Sequence, residues 1–596
     1  MRVGKLVKIS GSVIIGKGIP DIEIGEVIEV GDEGLIGEVI RVSEDVFTAQ
    51  VYEPTSGLKV GDKVIATGRR LVAELGPGLL MNILDGIGRP LEILIKKSGP
   101  FIRRGIKAYT LPRDKKWHFK PLVKKGEKIS GGDIIGVVQE TPIVEHKIMA
   151  PPYIHGVVKE IYEGDFTVLD PIAYLENGKE RPLYLMQEWP VRLPRPFAKD
   201  GRLPLMKPLV TGQRVIDIFF PVPKGGAACI PGGFGTGKTV MLHQLAKWSD
   251  AKVVVYIGCG ERGNEMAEVL TDFPKLVDPR TKRPLMERTV LIANTSNMPV
   301  SAREASIYIG ITIAEYYRDM GYDVALMADS TSRWAEAIRE IAGRLGEMPV
   351  ERGFPAYLPD RIAEFYERAG RVIALGRPKR EGSVTVIGAV SPPGGDFNEP
   401  VTVHTLRFTG VFWALDADLA YSRHFPAIHW LKSYSVHADV LIPTMAKDLA
   451  ESGWKELVDL PRYRERALSI LSEAAEIESI ARIIGEKALP DDQRLILLTA
   501  ELIKEGFLRQ FAFDEVDAFC PLEKQMLILK IIIDFHEKAT KLISNRVPVD
   551  KISSLPVISK MMRMKFDPRG IEYVKSVGEE AMKSLKEIAE EYGISM

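Results

Sequence analysis

At 596 residues, 45% of them hydrophobic and 27% charged, the chain has the balance of an ordinary globular protein and is too long for one core, so about three or four compact units are expected. Lys plus Arg and Asp plus Glu each number 80, and the resulting net charge of zero excludes the global positive field of a dedicated polynucleotide or anionic-lipid binder. The three cysteines, Cys229, Cys259 and Cys520, are far apart with no CxxC pair, which excludes a disulfide framework or thiolate metal site and fits a reducing cytoplasm.

The N-terminus, MRVGKLVKISG, lacks the continuous apolar stretch and cleavage site of a secretory signal and reads as mature protein from the start. Residues 1–70 alternate apolar and polar positions in short runs (Gly4 to Ile9, Gly25 to Val30, Gly37 to Val42, Asp45 to Val51) between Gly, Asp and Pro turns, which predicts a small β-barrel. Residues 110–195 are again strand-like and rich in Pro, Gly and Lys, which predicts an inserted β-rich domain. Residues 71–109 and 196–435 then form an α/β domain. In it the buried-strand runs Ala227 to Ile230, Lys252 to Ile257, Thr289 to Ala293, Asp323 to Ala328 and Ser383 to Val390 alternate with amphipathic segments, implying a mainly parallel sheet between helices. Ser301 and Glu304 are spaced as a capping box at a helix start, and Gly321 stands where that helix would end. From 436 to 596 the periodic stretches Leu441 to Ile484, Asp491 to Glu505, Leu522 to Ser544 and Ser576 to Glu591 predict a helical bundle. The greasiest run, Met526 to Ile533, is interrupted by a lysine and falls short of the ~20 apolar residues of a membrane span, so any membrane association is expected to be peripheral.

The run Gly232-Gly233-Phe234-Gly235-Thr236-Gly237-Lys238-Thr239, followed by Val240, satisfies G-x-x-x-x-G-K-[ST] between a buried strand and a helical segment from Lys238 to Trp248. Glycines let successive N–H groups form an anion nest, and the helix N-terminus adds partial positive charge. Lys238 is expected to reach the β- and γ-phosphates of ATP or ADP, and the Thr239 hydroxyl to ligate Mg2+. A second element is Asp329, which ends the buried run DVALMAD where open α/β sheets bind ligands and is expected to hold the magnesium through water. By itself an Asp at that place reads better as a cap for the following helix; its pairing with the phosphate loop changes that reading. Glu261, in Gly258-Cys-Gly-Glu-Arg-Gly directly after another strand, can orient the attacking water, with Arg262 and the more distant Arg333 organising charge around the γ-phosphate. Without further context Glu261 and Arg262 read equally as loop ion-pair partners.

Together these residues resemble the rotary ATPases, in the catalytic A-subunit branch of archaeal-type ATP synthases and vacuolar-type ATPases. Leu75 to Glu92 (LGPGLLMNILDGIGRPLE), Thr211 to Gly226 (TGQRVIDIFFPVPKGG) and Pro426 to Ser435 (PAIHWLKSYS) are similar to segments flanking the nucleotide domain throughout that family. The insertion at 110–195 and Ser391 to Asp416 select the archaeal and vacuolar branch, and the intact phosphate loop selects the catalytic chain. Relatives usually carry Pro where this loop has Gly233, and Ser or Cys where it has Thr236. The resemblance implies aromatic residues around adenine, which map to Phe425 and Phe513, with Phe511 competing for the second role. It also implies an alternating hexamer with three non-catalytic B subunits that supply an arginine finger. Central and peripheral stalk subunits, a membrane sector moving protons or sodium, and a peripheral place on the cytoplasmic face of the cell membrane follow with it. Nucleic acid is not expected as a partner: a hexameric nucleic-acid translocase would need a basic, aromatic-rich N-terminal module that residues 1–70 lack. A protein-export ATPase would lack the insertion, and a purely regulatory nucleotide-binding subunit would bind without turnover.

Overall fold

The computed structural model describes residues 2–99 and 102–595, with the side chains of Glu261, Asn264, Glu265 and Glu268 outside the described set. The chain falls into two compact units, the first comprising Met1–Leu205, Lys224–Cys229 and Ala251–Thr409, the second Met206–Pro223, Ile230–Asp250 and Gly410–Met596. Within the first unit the insertion shares a core with the α/β layer: its apolar side chains Phe119, Val138 and Ile148 belong to the same buried cluster as Val255 and Leu326 of the α/β sheet and Tyr316 of the helix Val300–Asp319 that packs on that sheet.

The first unit begins with a closed six-stranded barrel of β1 (Arg2–Ser10), β2 (Val13–Lys17), β3 (Glu26–Val30), β4 (Leu35–Ser43), β5 (Val46–Val51) and β6 (Lys63–Arg70), in the order β1-β2-β5-β4-β3-β6. Its interior is a cluster of its own, including Leu6, Ile14, Ile28, Val39, Phe47 and Val64. Closure leaves no edge strand exposed. The insertion is two four-stranded antiparallel sheets, one built on Trp117–Pro121 and Ile134–Thr141, the other on Gly156–Ile161 and Pro171–Glu176. A buried hydrogen-bond cluster ties it to the helix Val300–Asp319: His146 Nδ1 lies 2.6 Å from Glu140 Oε2, His146 Nε2 lies 2.9 Å from Tyr316 Oη, and Tyr317 Oη donates to Glu140 Oε2 at 2.9 Å. Burial works against the Glu140 carboxylate, yet His146 and backbone N–H donors hold it below the usual range.

The α/β sheet is built from β7 (Ala227–Pro231), β8 (Val253–Glu261), β9 (Thr289–Thr295), β10 (Asp323–Asp329) and β11 (Glu381–Val390). In the first unit Ala227–Cys229 lies beside β11, followed by β10, β8 and β9, the pairs β11–β10, β10–β8 and β8–β9 all being parallel. The strands read as near-continuous apolar runs because both faces are covered. Helix α2 (Val300–Asp319) is buried along its length, and at Gly310 a Cβ would come within 2.3 Å of Ile257 Cδ1, so glycine permits the close helix–sheet approach. The capping box expected at Ser301 and Glu304 does not form. The cap position is Pro299, Ser301 Oγ is buried without a hydrogen-bond partner among the described residues, and Glu304 instead pairs with Arg192, which also binds Glu38 of the barrel. Gly321 does adopt the left-handed conformation just past the helix end, its N–H donating to Arg318 O.

In the second unit α1 (Lys238–Trp248) follows the glycine loop, and the C-terminal part is helical as expected. The run expected from Leu441 to Ile484 is two helices, Ala438–Glu451 and Leu460–Ile484, separated at Gly453, whose φ is +108°. Asp491–Glu501 continues as a π-helical segment, Leu502–Leu508, and Leu522–Ser544 and Ile571–Glu591 pack together. Among the described residues no helix is long and apolar enough to cross a membrane.

Candidate functional site

In the second unit the chain leaves β7, crosses Gly232 to Gly237 and enters α1 at Lys238, which is the strand–loop–helix order a phosphate nest requires. Gly235 and Gly237 have φ of +78° and +86°, conformations that an L side chain resists. Gly232 is required for space, since a Cβ there would lie 2.7 Å from Leu415 Cβ. Gly233 has neither constraint, with nothing among the described residues within 4 Å of its Cβ position. The Lys238 ammonium donates to Gly232 O at 2.6 Å and Gly233 O at 2.9 Å, and Thr236 Oγ1 donates to Gly233 O at 2.8 Å. Thr239 is half-buried, whereas Phe234 and Val240 are exposed.

The aromatic candidates lie in the same unit. A Cβ at Gly237 would stand 3.5 Å from Phe425 Cε1, so the Phe425 ring borders the last loop glycine. Gln510 N–H donates to Phe425 O at 2.8 Å, bringing the Phe511 to Phe513 segment beside it. Phe511 is 42% exposed, packed on Phe566 with the Arg509 guanidinium 4.9 Å from its ring, while Phe513 is 91% exposed.

What fixes this aromatic segment is a buried ion pair that sequence reading did not single out, although Arg214 lies within TGQRVID. Arg214 Nη1 binds Asp517 Oδ1 at 2.7 Å, Nη2 donates to Arg509 O at 2.8 Å, and Nε donates to Phe507 O. Asp517 Oδ2 in turn accepts the Phe511 N–H at 2.9 Å. Burial alone would lower the Arg214 pKa, but Asp517 raises it above its ordinary value. Nearby, burial with a smaller contribution from Arg214 pushes the Lys565 ammonium down to about 7, its Nζ donating to Arg509 O at 2.6 Å.

In the first unit, β8 and β10 are adjacent and parallel, with Gly258 beside Asp329. Asp329 is therefore at the carboxyl end of its strand, and Glu261 is the last residue of β8. Asp329 is 3% exposed, and Tyr256, the one polar residue inside the apolar run of β8, donates to its Oδ2 at 3.2 Å. Arg262 is exposed, and Arg333 forms an ion pair with Glu336 at 2.9 Å. The Glu261 side chain, assigned to the attacking water, lies outside the described residues.

Four family models match the chain: the ATP synthase alpha/beta family β-barrel domain over residues 6–68, its barrel-sandwich domain over 108–192, its nucleotide-binding domain over 212–435, and the C-terminal domain of V and A type ATP synthase over 455–553. The chain is similar to the A-subunit of the A-type ATP synthase of Thermofilum pendens, 61% identical over 100% of this chain and 98% of that protein. Its similarity to the corresponding A-subunit of Methanopyrus kandleri is 58% over 99% and 98%, and to the V-type ATP synthase alpha chain of Thermoanaerobacter pseudethanolicus 57% over 95% and 95%. Among solved structures, the assembled ATPase EscN of an enteropathogenic E. coli type III secretion system matches with a TM-score of 0.63 at 22% identity, covering 89% of this chain and 100% of that one, a likeness of fold alone.

Proposed function

From the premise that the chain belongs to the ATP synthase alpha/beta family, in its A-type catalytic branch, we propose how its residues divide the work of ATP synthesis and hydrolysis. The chain is the catalytic subunit of an A-type rotary ATP synthase. The observation that carries the residue assignment is the complete strand–loop–helix phosphate nest, with a lysine and a threonine at the helix start.

In our reading the loop N–H groups and Lys238 bind the phosphates, and Phe425 with Phe513 or Phe511 flanks adenine. The Thr239 hydroxyl and, through water, the buried Asp329 carboxylate hold Mg2+, a hard-oxygen donor set suited to that ion, which would neutralise charge on the phosphate oxygens. Glu261 orients the water whose oxygen bonds to the γ-phosphorus as the bond to the β–γ bridging oxygen breaks; Arg262 balances charge on the γ-phosphate. Burial of Cys229 and Cys259 keeps thiol chemistry out of the reaction. We further propose that turnover requires a non-catalytic partner in an alternating hexamer, stalk subunits and an ion-translocating membrane sector, with this chain peripheral on the cytoplasmic face.

The test is Mg-ATP hydrolysis by the reconstituted complex carrying Glu261→Gln. Lost turnover with nucleotide still bound is expected, and full turnover in that variant would refute the assignment of Glu261. Hydrolysis by the chain alone that equals the complex would refute the dependence on a partner.

A further inference from the structure

The end of β8 is irregular. Its register with β9 runs residue for residue from Val254 opposite Thr289 to Cys259 opposite Asn294, then slips so that Glu261 faces Thr295. Gly260 is thus an extra residue in the strand, with φ of +69°. Bulges of this kind are common beside active sites, where they change the direction in which the strand leaves the sheet.

The bulge is tightly covered. A Cβ at Gly260 would lie 2.7 Å from Arg303 Cδ, 2.8 Å from Arg303 Nε and 2.9 Å from Arg333 Cβ. Arg303, in the first turn of α2, is 8% exposed. Its Nη2 donates to Ser296 O at 3.0 Å, and its own carbonyl accepts from Ser306 Oγ at 2.8 Å. Its Nε, buried over the bulge, has no hydrogen-bond partner among the described residues. Both amide atoms of Asn294 and the Ser301 hydroxyl, each 0% exposed, also lack partners among those residues. A buried polar group without a partner is uncommon in a native fold and calls for one, supplied by an ordered water or by a neighbouring group that comes within reach in another state.

We propose that Arg303 is a positioning residue for hydrolysis: seated over the Gly260 bulge, it fixes the backbone from which Glu261 emerges and supplies its Nε–H to that segment when nucleotide is bound. The inference rests on the role of Glu261 given above. Arg303 makes and breaks no covalent bond, and it acts through the residue it holds.

The experiment uses the reconstituted complex with Arg303→Lys, which keeps the charge and stem but not the Nε–H of the planar guanidinium. Expected is a fall in kcat of about ten- to a hundredfold, the scale of a misplaced reacting group, with KM and thermal stability near wild type. In single-turnover hydrolysis, Arg303→Lys added to Glu261→Gln should cost nothing more, because both act on one group. An unchanged kcat, full additivity in the double variant, or failure of Arg303→Lys to assemble would each overturn the proposal in favour of a packing role. If Glu261→Gln stops turnover while Arg303→Lys is silent, this inference alone fails; if Glu261→Gln turns over normally, the site assignment beneath it fails.

Discussion

Replacing Arg214 with Met tests how the second unit holds its aromatic segment. The substitution keeps the volume and removes every donor, so the Asp517 carboxylate, 1% exposed, loses its counter-ion and keeps the Phe511 N–H as a donor. Removing one partner of a buried pair costs roughly 3–5 kcal/mol because the other charge is left uncompensated. Two carbonyls are affected as well: Phe507 O loses the Nε–H, whereas Arg509 O retains Lys565 Nζ at 2.6 Å. For a unit of this size the expected fall in Tm is about 6 to 20 °C. Because the same network holds Phe511, and through Gln510 the backbone of Phe425, ATP binding should weaken more than pyrophosphate binding, which needs only the loop. Calorimetric unfolding and titration of both ligands measure this. The double variant Arg214→Met with Asp517→Leu removes the stranded charge and should regain most of the stability. A single-variant loss under about 1 kcal/mol, or a double variant no more stable than the single, would refute the reasoning.

Two loop glycines should respond oppositely to alanine. At Gly237, with φ of +86°, Gly237→Ala is expected to cost about 1–2 kcal/mol and to weaken phosphate binding, whereas Gly233→Ala, with open space around it, should leave hydrolysis intact and add up to about 1 kcal/mol of stability; paired thermal unfolding and ATPase assays decide it. Native protein should resist thiol reagents, because Cys229, Cys259 and Cys520 are all buried and burial pushes the Cys229 thiol upward; rapid labelling before unfolding would contradict this. Burial lowers His536 to about 4, with Arg466 adding to the effect, and the Arg466 guanidinium 3.1 Å from Nε2 requires that nitrogen to accept, leaving Nδ1–H to face Thr499 Oγ1 at 2.8 Å. With a folded pKa below the unfolded one, its contribution is complete above about pH 6.5 and is lost as pH falls toward 4, a loss of roughly 3 kcal/mol that His536→Gln should largely remove in acid-unfolding titrations.

Much of this architecture could be read from the residues because each element's signal is local. The barrel follows from period-2 alternation closed by Gly and Asp turns, and the α/β sheet from apolar runs such as Val253 to Ile257 that only a doubly covered strand tolerates. The phosphate loop was legible because its chemistry is carried by backbone conformation, and glycine spacing encodes that conformation directly. Where reading failed, a distant partner had changed a local preference. Ser301 and Glu304 have capping-box spacing, but Arg192 lies 112 residues away in sequence and captures Glu304 to bridge it to Glu38 of the barrel, so the helix begins on Pro299 without a side-chain cap.

The same reasoning explains why the loop was easier to find than what surrounds it. Arg214 and Asp517 are separated by 303 residues, and nothing near either one announces that they form a fully buried pair. Tyr256 is visible as a polar residue in an apolar strand, yet only the pairing of β8 with β10 shows that its hydroxyl meets Asp329. Gly260 is more telling still: in sequence it is one of three glycines between Ile257 and Asn264, and its meaning as a bulge within β8 comes entirely from the slip against β9 and from Arg303 lying over it. Chemistry held in backbone conformation is therefore legible from a short motif, whereas the side chains that orient it are chosen by tertiary contact. These orienting side chains are where substitutions should alter turnover without touching nucleotide.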